Sequence, residues 1–419
     1  MILPLVINGI SIVATVALVS RKYGSLINPI ALFGGFLFIA TFLTPLAYVL
    51  LHMLPASESA VNYTTILSSL YFVTIGATFL VQSSPFRSPI DLLVRLSRPF
   101  TTIGRFDLSL LGMGLLALQF VFVYVTIMIA SGAGLMWLTN SREAYSYHRA
   151  QVGVWWSLAL GILMLLFLAV IVRWGQTSKR VFLLAALFCF IALRLGSKGF
   201  ALQYFIIAAF FVQYRIRPIR TWPLLCGSAL LLCLLSIVQL AQGTADRLID
   251  TLGYFDYFWH SARLIEGFGH RGFHFQYGAI MLSNLWFYLP RAVYPDKPLL
   301  YGLGLLDDWV YPGLAKHSRY TPGLLQWAVG YGDFGVMGVV GVAAVQGLIT
   351  KGVFEYFLEH RDFVAFVLLI QVGFVYSIEL FPRCPFPIYW LWFMAEGGMF
   401  WVLRVLAPKA SLAVARTAG

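Results

Sequence analysis

The stretch FYLPRAVYPDKPLLYG, residues 287–302, sets Arg291, Asp296 and Lys297 among three prolines and a run of aromatic and leucine side chains. Pro295 and Pro298 flank the Asp-Lys pair, and each ring locks its own φ. A merely solvated charge gains nothing from such stiffness. A guanidinium that must meet a phosphate through two parallel N–H···O bonds does gain from it. The chemistry expected here is a rigid anion clamp. Further basic candidates are Arg142, Lys198 in GSKG (196–199), Arg271, Arg319 and Arg383. Candidates for taking a proton from a hydroxyl are His260, His270, His274, Asp256 and Glu266. None of these stands apart by sequence, and a lone histidine in such a loop is more often structural than catalytic.

These residues must be positioned by membrane helices. Of 419 residues, 60% are hydrophobic and only 11% are charged, against about 25% charged in a soluble domain. Such a chain cannot cover a water-facing surface, and runs of about 20 apolar residues, each able to cross ~30 Å of hydrocarbon, recur along it. The period-two alternation of a membrane barrel is missing. The expected fold is all-α and polytopic, with about eleven spans (range about 10–13): roughly 3–20, 29–52, 64–82, 107–130, 154–172, 181–196, 199–213, 223–241, 324–348, 363–381 and 388–407. The first 20 residues lack a basic leader and are followed by Arg21-Lys22, so they read as a span and not as a signal peptide. Cys189, Cys226, Cys233 and Cys384 show no metal or redox spacing.

Every second loop is basic. Arg21-Lys22, the 87–105 loop, Arg173 to Arg180, Arg215 to Arg220, Lys351 with Arg361, and Lys409 with Arg416 fall on one side. By the positive-inside rule that side is cytoplasmic, which puts the N-terminus outside. The formal charge of +12 is partly this asymmetry and implies no nucleic-acid partner. Residues 131–153, the GSKG turn, a large loop at about 242–322 and the turn at Arg383 then map outside. Lys198 and Arg383 sit in short outer turns that the rule disfavours, and an anionic ligand at the outer interface supplies a reason for them.

Within the large loop, 245–266 places Leu248, Leu252, Phe255 and Leu264 on one helical stripe, which predicts an amphipathic helix lying on the membrane. The run 279–290 is too short to span and predicts an interfacial or re-entrant helix ending at Arg291. Asp333, Glu379 and Glu396 fall inside predicted spans, where carboxylates face the protein interior. Glu379 lies four residues before Arg383. It either orients that arginine as an ion pair or, with Asp333 as the other candidate, belongs to an acceptor site. Glu396 reads as a packing or cavity residue.

FYLPRAVYPDKP resembles the PR…KP segment of the large outer loop in Wzy-type O-antigen (oligosaccharide repeat-unit) polymerases. That family carries two Arg-x10-Gly motifs in two outer loops. Arg142 with Gly153 in REAYSYHRAQVG, and Arg291 with Gly302 in RAVYPDKPLLYG, have this spacing. GSKG and TPGLLQWAVGYGDFGVMG (321–338) are similar to family segments as well, so the resemblance covers about residues 140–385. It implies a single GT-C-like membrane domain with interfacial helices in its periplasmic loop. The implied enzyme is a glycosyltransferase of the bacterial inner membrane, acting at the periplasmic face. It passes a growing glycan from undecaprenyl diphosphate to the non-reducing end of the next lipid-linked repeat. Arg142, Arg291 and His270 are the implied catalytic residues. Lys198, Arg271, Lys297, Arg319, Arg383, Glu379, Gly153 and Gly302 are implied to hold diphosphate or glycan. No cofactor or metal is implied, and the partners are the lipid-linked oligosaccharide and a chain-length regulator in the same membrane. The outer basic residues are expected to converge on one cavity.

Three rivals remain at this level, one of them a non-catalytic envelope assembly protein, which an intact lipid-linked donor left unpolymerised would separate from an enzyme. An O-antigen ligase shares the donor, but a His-Asn-type loop motif is expected of it, and GHRGFHFQYG supplies only the histidines. A transporter of lipid-linked sugars predicts internal repeats and matching broken helices, and no repeat is legible.

Overall fold

The computed structural model describes residues 1–53, 55–96, 110–148, 152–196, 198–224, 255–270, 272–288, 300–314, 323–361 and 363–370, with 227, 233, 237, 294 and 296–298. These residues are helical or irregular, with no strand among them. Six helices are long and apolar enough to cross a membrane: Ile2–Tyr23, Pro29–Leu50, Glu58–Leu80, Leu110–Ala130, Trp155–Trp174 and Ala328–His360. The chain is therefore an all-α membrane protein. Of the other expected spans, 181–196 and 199–213 are shorter helices. Most of 223–241 and 363–381, and all of 388–407, lie outside the described residues. The described residues divide into two compact units, the first including Met1–Arg87 and Gln213–Glu355 and the second Ser88–Val212 and Tyr356–Leu368.

In the first unit, α1 (Ile2–Tyr23) packs against α2 (Pro29–Leu50) and α3 (Glu58–Leu80). Pro45 has no N–H to give the Thr41 carbonyl one turn earlier, and α2 widens there into a π-helical turn, Ile39–Leu43. In a membrane the freed carbonyl must find a protein partner. The Nδ2 of buried Asn8 donates to it (3.0 Å) and to Thr41 Oγ1 (2.9 Å), while Ser69 Oγ donates to Asn8 Oδ1 (2.8 Å). One asparagine thus ties three helices together. At the other end of α3, Lys22 Nζ donates to the Phe79 and Val81 carbonyls (2.8 Å each), and Lys351 Nζ also reaches Val81 O. Cations there answer the orphan carbonyls and the negative end of the helix dipole. Lys351 does not sit in a cytoplasmic loop as expected. It is fully buried within the helix Ala328–His360 and paired with Glu355 at 3.5 Å.

The second unit holds α4 (Leu110–Ala130), α5 (Ser141–His148), α6 (Gly153–Trp174), α7 (Ser178–Leu193) and α8 (Lys198–Phe211). Helix α6 packs on α4 and α7, and α7 pairs with α8. At 16 and 14 residues, α7 and α8 are shorter than the ~20 needed to span, and α7 runs into a turn at 194–196. Exposed Leu118, Phe122 and Ile129 on α4 give it an apolar outer face suited to lipid.

The first unit continues with α9 (Tyr257–His270), α10 (Ala279–Ser283, running into a 3-10 turn to Tyr288), α11 (Leu303–Val310) and α12 (Ala328–His360) as far as Glu355. The expected amphipathic helix starts at Tyr257, later than predicted; 245–254 lie outside the described residues. Its apolar face meets protein and not the membrane surface: Phe258, Trp259 and Leu264 are buried, and α9 packs on α3 and α11. The span expected at 324–348 is also not one rod. Helix α12 breaks at Phe334–Gly335, where Gly335 adopts φ 59°, ψ −143°, a conformation open to glycine alone. A Cβ on Gly338 would stand 1.9 Å from the Gly330 carbonyl oxygen, although residues eight apart on a straight helix are about 12 Å apart. The arm before the break therefore folds back on the helix after it.

Candidate functional site

In the second unit, the α7 helix ends with carbonyls that have no partner within the helix, and α4, the Arg142 segment and α6 each supply a donor. Ser141 Oγ donates to Leu193 O (3.0 Å), Tyr124 Oη to Arg194 O (3.2 Å) and Trp156 Nε1 to Leu195 O (2.8 Å). In return Arg194 Nη1 donates to Leu138 O (2.8 Å). Gly196, at φ +75°, lies so close to Tyr145 that a Cβ would sit 2.4 Å from the Tyr145 Cβ. Two segments 50 residues apart that the sequence marked, the Arg142 helix and the GSKG turn carrying Lys198, are thereby packed together. Arg142 is exposed with its guanidinium 5.8 Å from the Tyr145 ring, which rests on Trp156 (5.4 Å). A cation held over an aromatic stack keeps its fork edge available to an anion. Gly153 opens α6 with no heavy atom within 4 Å of a Cβ placed on it.

Gly302 is constrained differently. Its φ of +56° and ψ of −128° require glycine, and a Cβ would meet Asn284 Oδ1 at 1.9 Å. Its N–H donates to Ser283 Oγ (2.8 Å), locking the start of α11 onto α10. The two glycines of the repeated spacing therefore have unlike local roles. Lys297 is half-buried with Nζ 5.0 Å from the Tyr301 ring, and its N–H closes a turn onto Tyr294 O (3.2 Å). His270 is exposed at the end of α9. Arg271, Arg291, Arg319, Glu379, Arg383 and Glu396 lie outside the described residues. Arg142, Lys198 and Gly153 belong to the second unit, and His270, Lys297 and Gly302 to the first.

The acceptor-site reading of Asp333 gives way to a backbone role. Asp333 is fully buried, and its two oxygens accept from Ile280 N (3.0 Å) and Met281 N (2.9 Å), capping α10 from a distant part of the chain. The exchange is mutual, since Gln276 N and Tyr277 N donate to Gly332 O and Asp333 O (3.0 Å each) at the end of the folded-back arm. Glu266 is likewise engaged, accepting from Ser57 N (2.8 Å) at the start of α3.

Asp256 and His260, one turn apart on α9 and the residue before it, belong to a polar network that spacing alone does not single out. Arg263 Nη1 donates to Tyr311 Oη (3.1 Å), which leaves the phenol proton for His260 Nδ1 (2.7 Å). Arg263 Nε also donates to Pro55 O (3.3 Å), and Tyr48 Oη donates to Asp256 Oδ2 (3.4 Å). Burial pushes the Asp256 carboxyl up to about 6, opposed by the Tyr48 hydrogen bond. Burial first, then the charge of Arg263, lowers His260 to about 4. A neutral imidazole with Nδ1 occupied and a carboxyl titrating near neutrality are groups suited to moving a proton. Among the described residues, no three His, Cys, Asp or Glu side chains come together in a way that could hold a metal ion.

A cavity of about 610 Å³ opens between the end of α9, residues 273–277 and Tyr331 of the folded-back arm. The density of aromatic residues over 255–277 is its only trace in the sequence. No family model matches the chain, and neither any curated protein nor any solved structure matches it.

Proposed function

We propose that this chain is a Wzy-type polymerase of the bacterial inner membrane, joining undecaprenyl-diphosphate-linked repeat units at the periplasmic face. The observation that carries the reading is the packing of the exposed Arg142 helix against the GSKG turn. It gathers two of the basic segments on which the family resemblance rests. In the reaction, an acceptor hydroxyl oxygen attacks the anomeric carbon of the donor glycan. The bond from that carbon to the diphosphate oxygen breaks, and undecaprenyl diphosphate leaves with the electron pair. Arg142 and Arg291 stabilise the charge developing on the leaving oxygens, with Lys198, Arg271, Lys297, Arg319 and Arg383 as further cations. His270 takes the hydroxyl proton. No nucleotide sugar or metal enters.

Proteoliposomes loaded with lipid-linked repeat units test this directly. Wild-type protein should build a ladder of increasing glycan length without nucleotide or added metal. Arg142→Ala and Arg291→Ala should abolish the ladder while the protein stays folded in the membrane. Arg→Lys should restore only part of it, because an ammonium cannot form the planar fork. Wild-type ladders from both alanine variants would overturn the assignment.

A further inference from the structure

The aromatic cavity of the first unit has no role in the proposal above, and its construction points to a ligand. Phe268 and Phe275 stack at 5.1 Å, Tyr331 meets both edge-on at 5.3 and 5.8 Å, and Phe273 lies against Phe268 and Trp309. At the mouth Tyr277 is 81% exposed and Phe275 39% exposed. These exposed rings are held in place, since Tyr277 has φ +50°. That backbone region is costly for a bulky residue, by on the order of 1–2 kcal/mol. The hydrogen bonds from Gln276 N and Tyr277 N to the folded-back arm, and the Asp333 cap just beyond, keep it there. A strained backbone that presents a ring to solvent is a feature of binding surfaces more than of cores.

The chemistry of the lining limits the ligand. Among the described residues that border the cavity there is no Arg, Lys, Asp or Glu, and flat aromatic faces suit C–H groups better than a diphosphate. His274 and the tyrosine hydroxyls offer polar contacts that a polyprenyl tail could not use. A pyranose has an apolar face of C–H groups and a rim of hydroxyls, which matches flat aromatic faces beside a few hydrogen-bonding groups. The volume falls within the ~300–1,000 Å³ of small-molecule sites. We infer that this cavity is a glycan subsite, in which Tyr277 and Phe275 stack against a sugar ring of the substrate while His274 contacts its hydroxyls. The inference rests on the polymerase reading only for the source of the sugar, a lipid-linked repeat unit.

Saturation-transfer NMR on the protein in nanodiscs, with a panel of lipid-free oligosaccharides as probes, tests it. Wild-type protein should transfer saturation to the C–H protons of one sugar face. Tyr277→Ala should weaken binding about tenfold, the loss of one stacked ring. Tyr277 packs little core, so this variant should fold; Phe275→Leu, which keeps bulk without a flat face, should act in the same direction. The cavity assignment is overturned if no oligosaccharide in the panel receives saturation from the wild type. It is also overturned if a short isoprenoid alcohol receives it instead, or if both variants bind sugar as the wild type does. The two readings fail separately. Sugar binding without any glycan ladder sinks the polymerase and leaves the cavity, whereas a ladder that both variants build at unchanged acceptor KM sinks the cavity and leaves the polymerase.

Discussion

A Cβ added at Gly302 would stand 1.9 Å from Asn284 Oδ1, on a backbone already at φ +56°. Gly302→Ala should therefore destabilise the protein by about 2–4 kcal/mol, strain and overpacking together. Gly153→Ala meets nothing within 4 Å and should leave thermal unfolding unchanged or raise it slightly. If Gly302→Ala unfolds like the wild type, the shape argument for that position is wrong. The Asp256–His260 pair gives a second prediction, about pH. Asp256 is raised from 3.8 to about 6, so its contribution to stability is complete below about pH 3.8 and lost as pH rises through 6. His260 is lowered from 6.5 to about 4, so its contribution is complete above about 6.5 and lost as pH falls through 4. The two trends oppose each other over one window and largely cancel in the wild type. Asp256→Asn should uncover a loss of stability as pH falls from about 6.5 to 4, and His260→Gln a loss as pH rises from about 4 to 6. Unfolding midpoints across pH 4–7 with parallel slopes in all three proteins would contradict this account.

Among the elements, α10 and the folded-back arm of α12 depend on each other. Asp333 serves the amides of Ile280 and Met281, and Gln276 and Tyr277 serve the arm's last carbonyls. Asp333→Ala should leave two amides without partners at a cost of about 2–4 kcal/mol. Asp333→Asn, which keeps one acceptor oxygen, should lose roughly half of that. Comparison of unfolding midpoints checks the order. Because the Asp333 cap lies next to the backbone bonds that hold Gln276 and Tyr277, Asp333→Ala should also loosen the aromatic cavity, whereas substitutions on the exposed face of α4 should not.

At the scale of the whole molecule, the topology we propose from the charge alternation has the N-terminus and the 242–322 loop on the same outer side. Single cysteines at positions 98 and 308, in a protein lacking Cys189, Cys226, Cys233 and Cys384, should react with an impermeant thiol reagent from opposite faces of sealed vesicles. Labelling of both from one face would reverse or break the proposed topology.

What the chain determined by itself is the membrane class and the rough position of its helices. Crossing hydrocarbon demands about 20 apolar residues whatever they pack against, so Ile2–Tyr23, Leu110–Ala130 and Trp155–Trp174 are legible from composition. The α7–α8 pair is legible too, from two short apolar runs joined by the GSKG turn. Only the fold shows that α2 widens ahead of Pro45 and that Asn8 takes up the carbonyl this proline frees. Lys351 reads as a loop cation and is a buried cap on α3; Asp333 reads as an intramembrane acid and is a cap on α10. The Arg263–Tyr311–His260 chain joins residues about 50 positions apart. Hydropathy is a sum over neighbours in sequence, so it locates spans. Hydrogen-bond partners, helix breaks that fold back and aromatic cages depend on which groups meet in space, and only tertiary packing sets that.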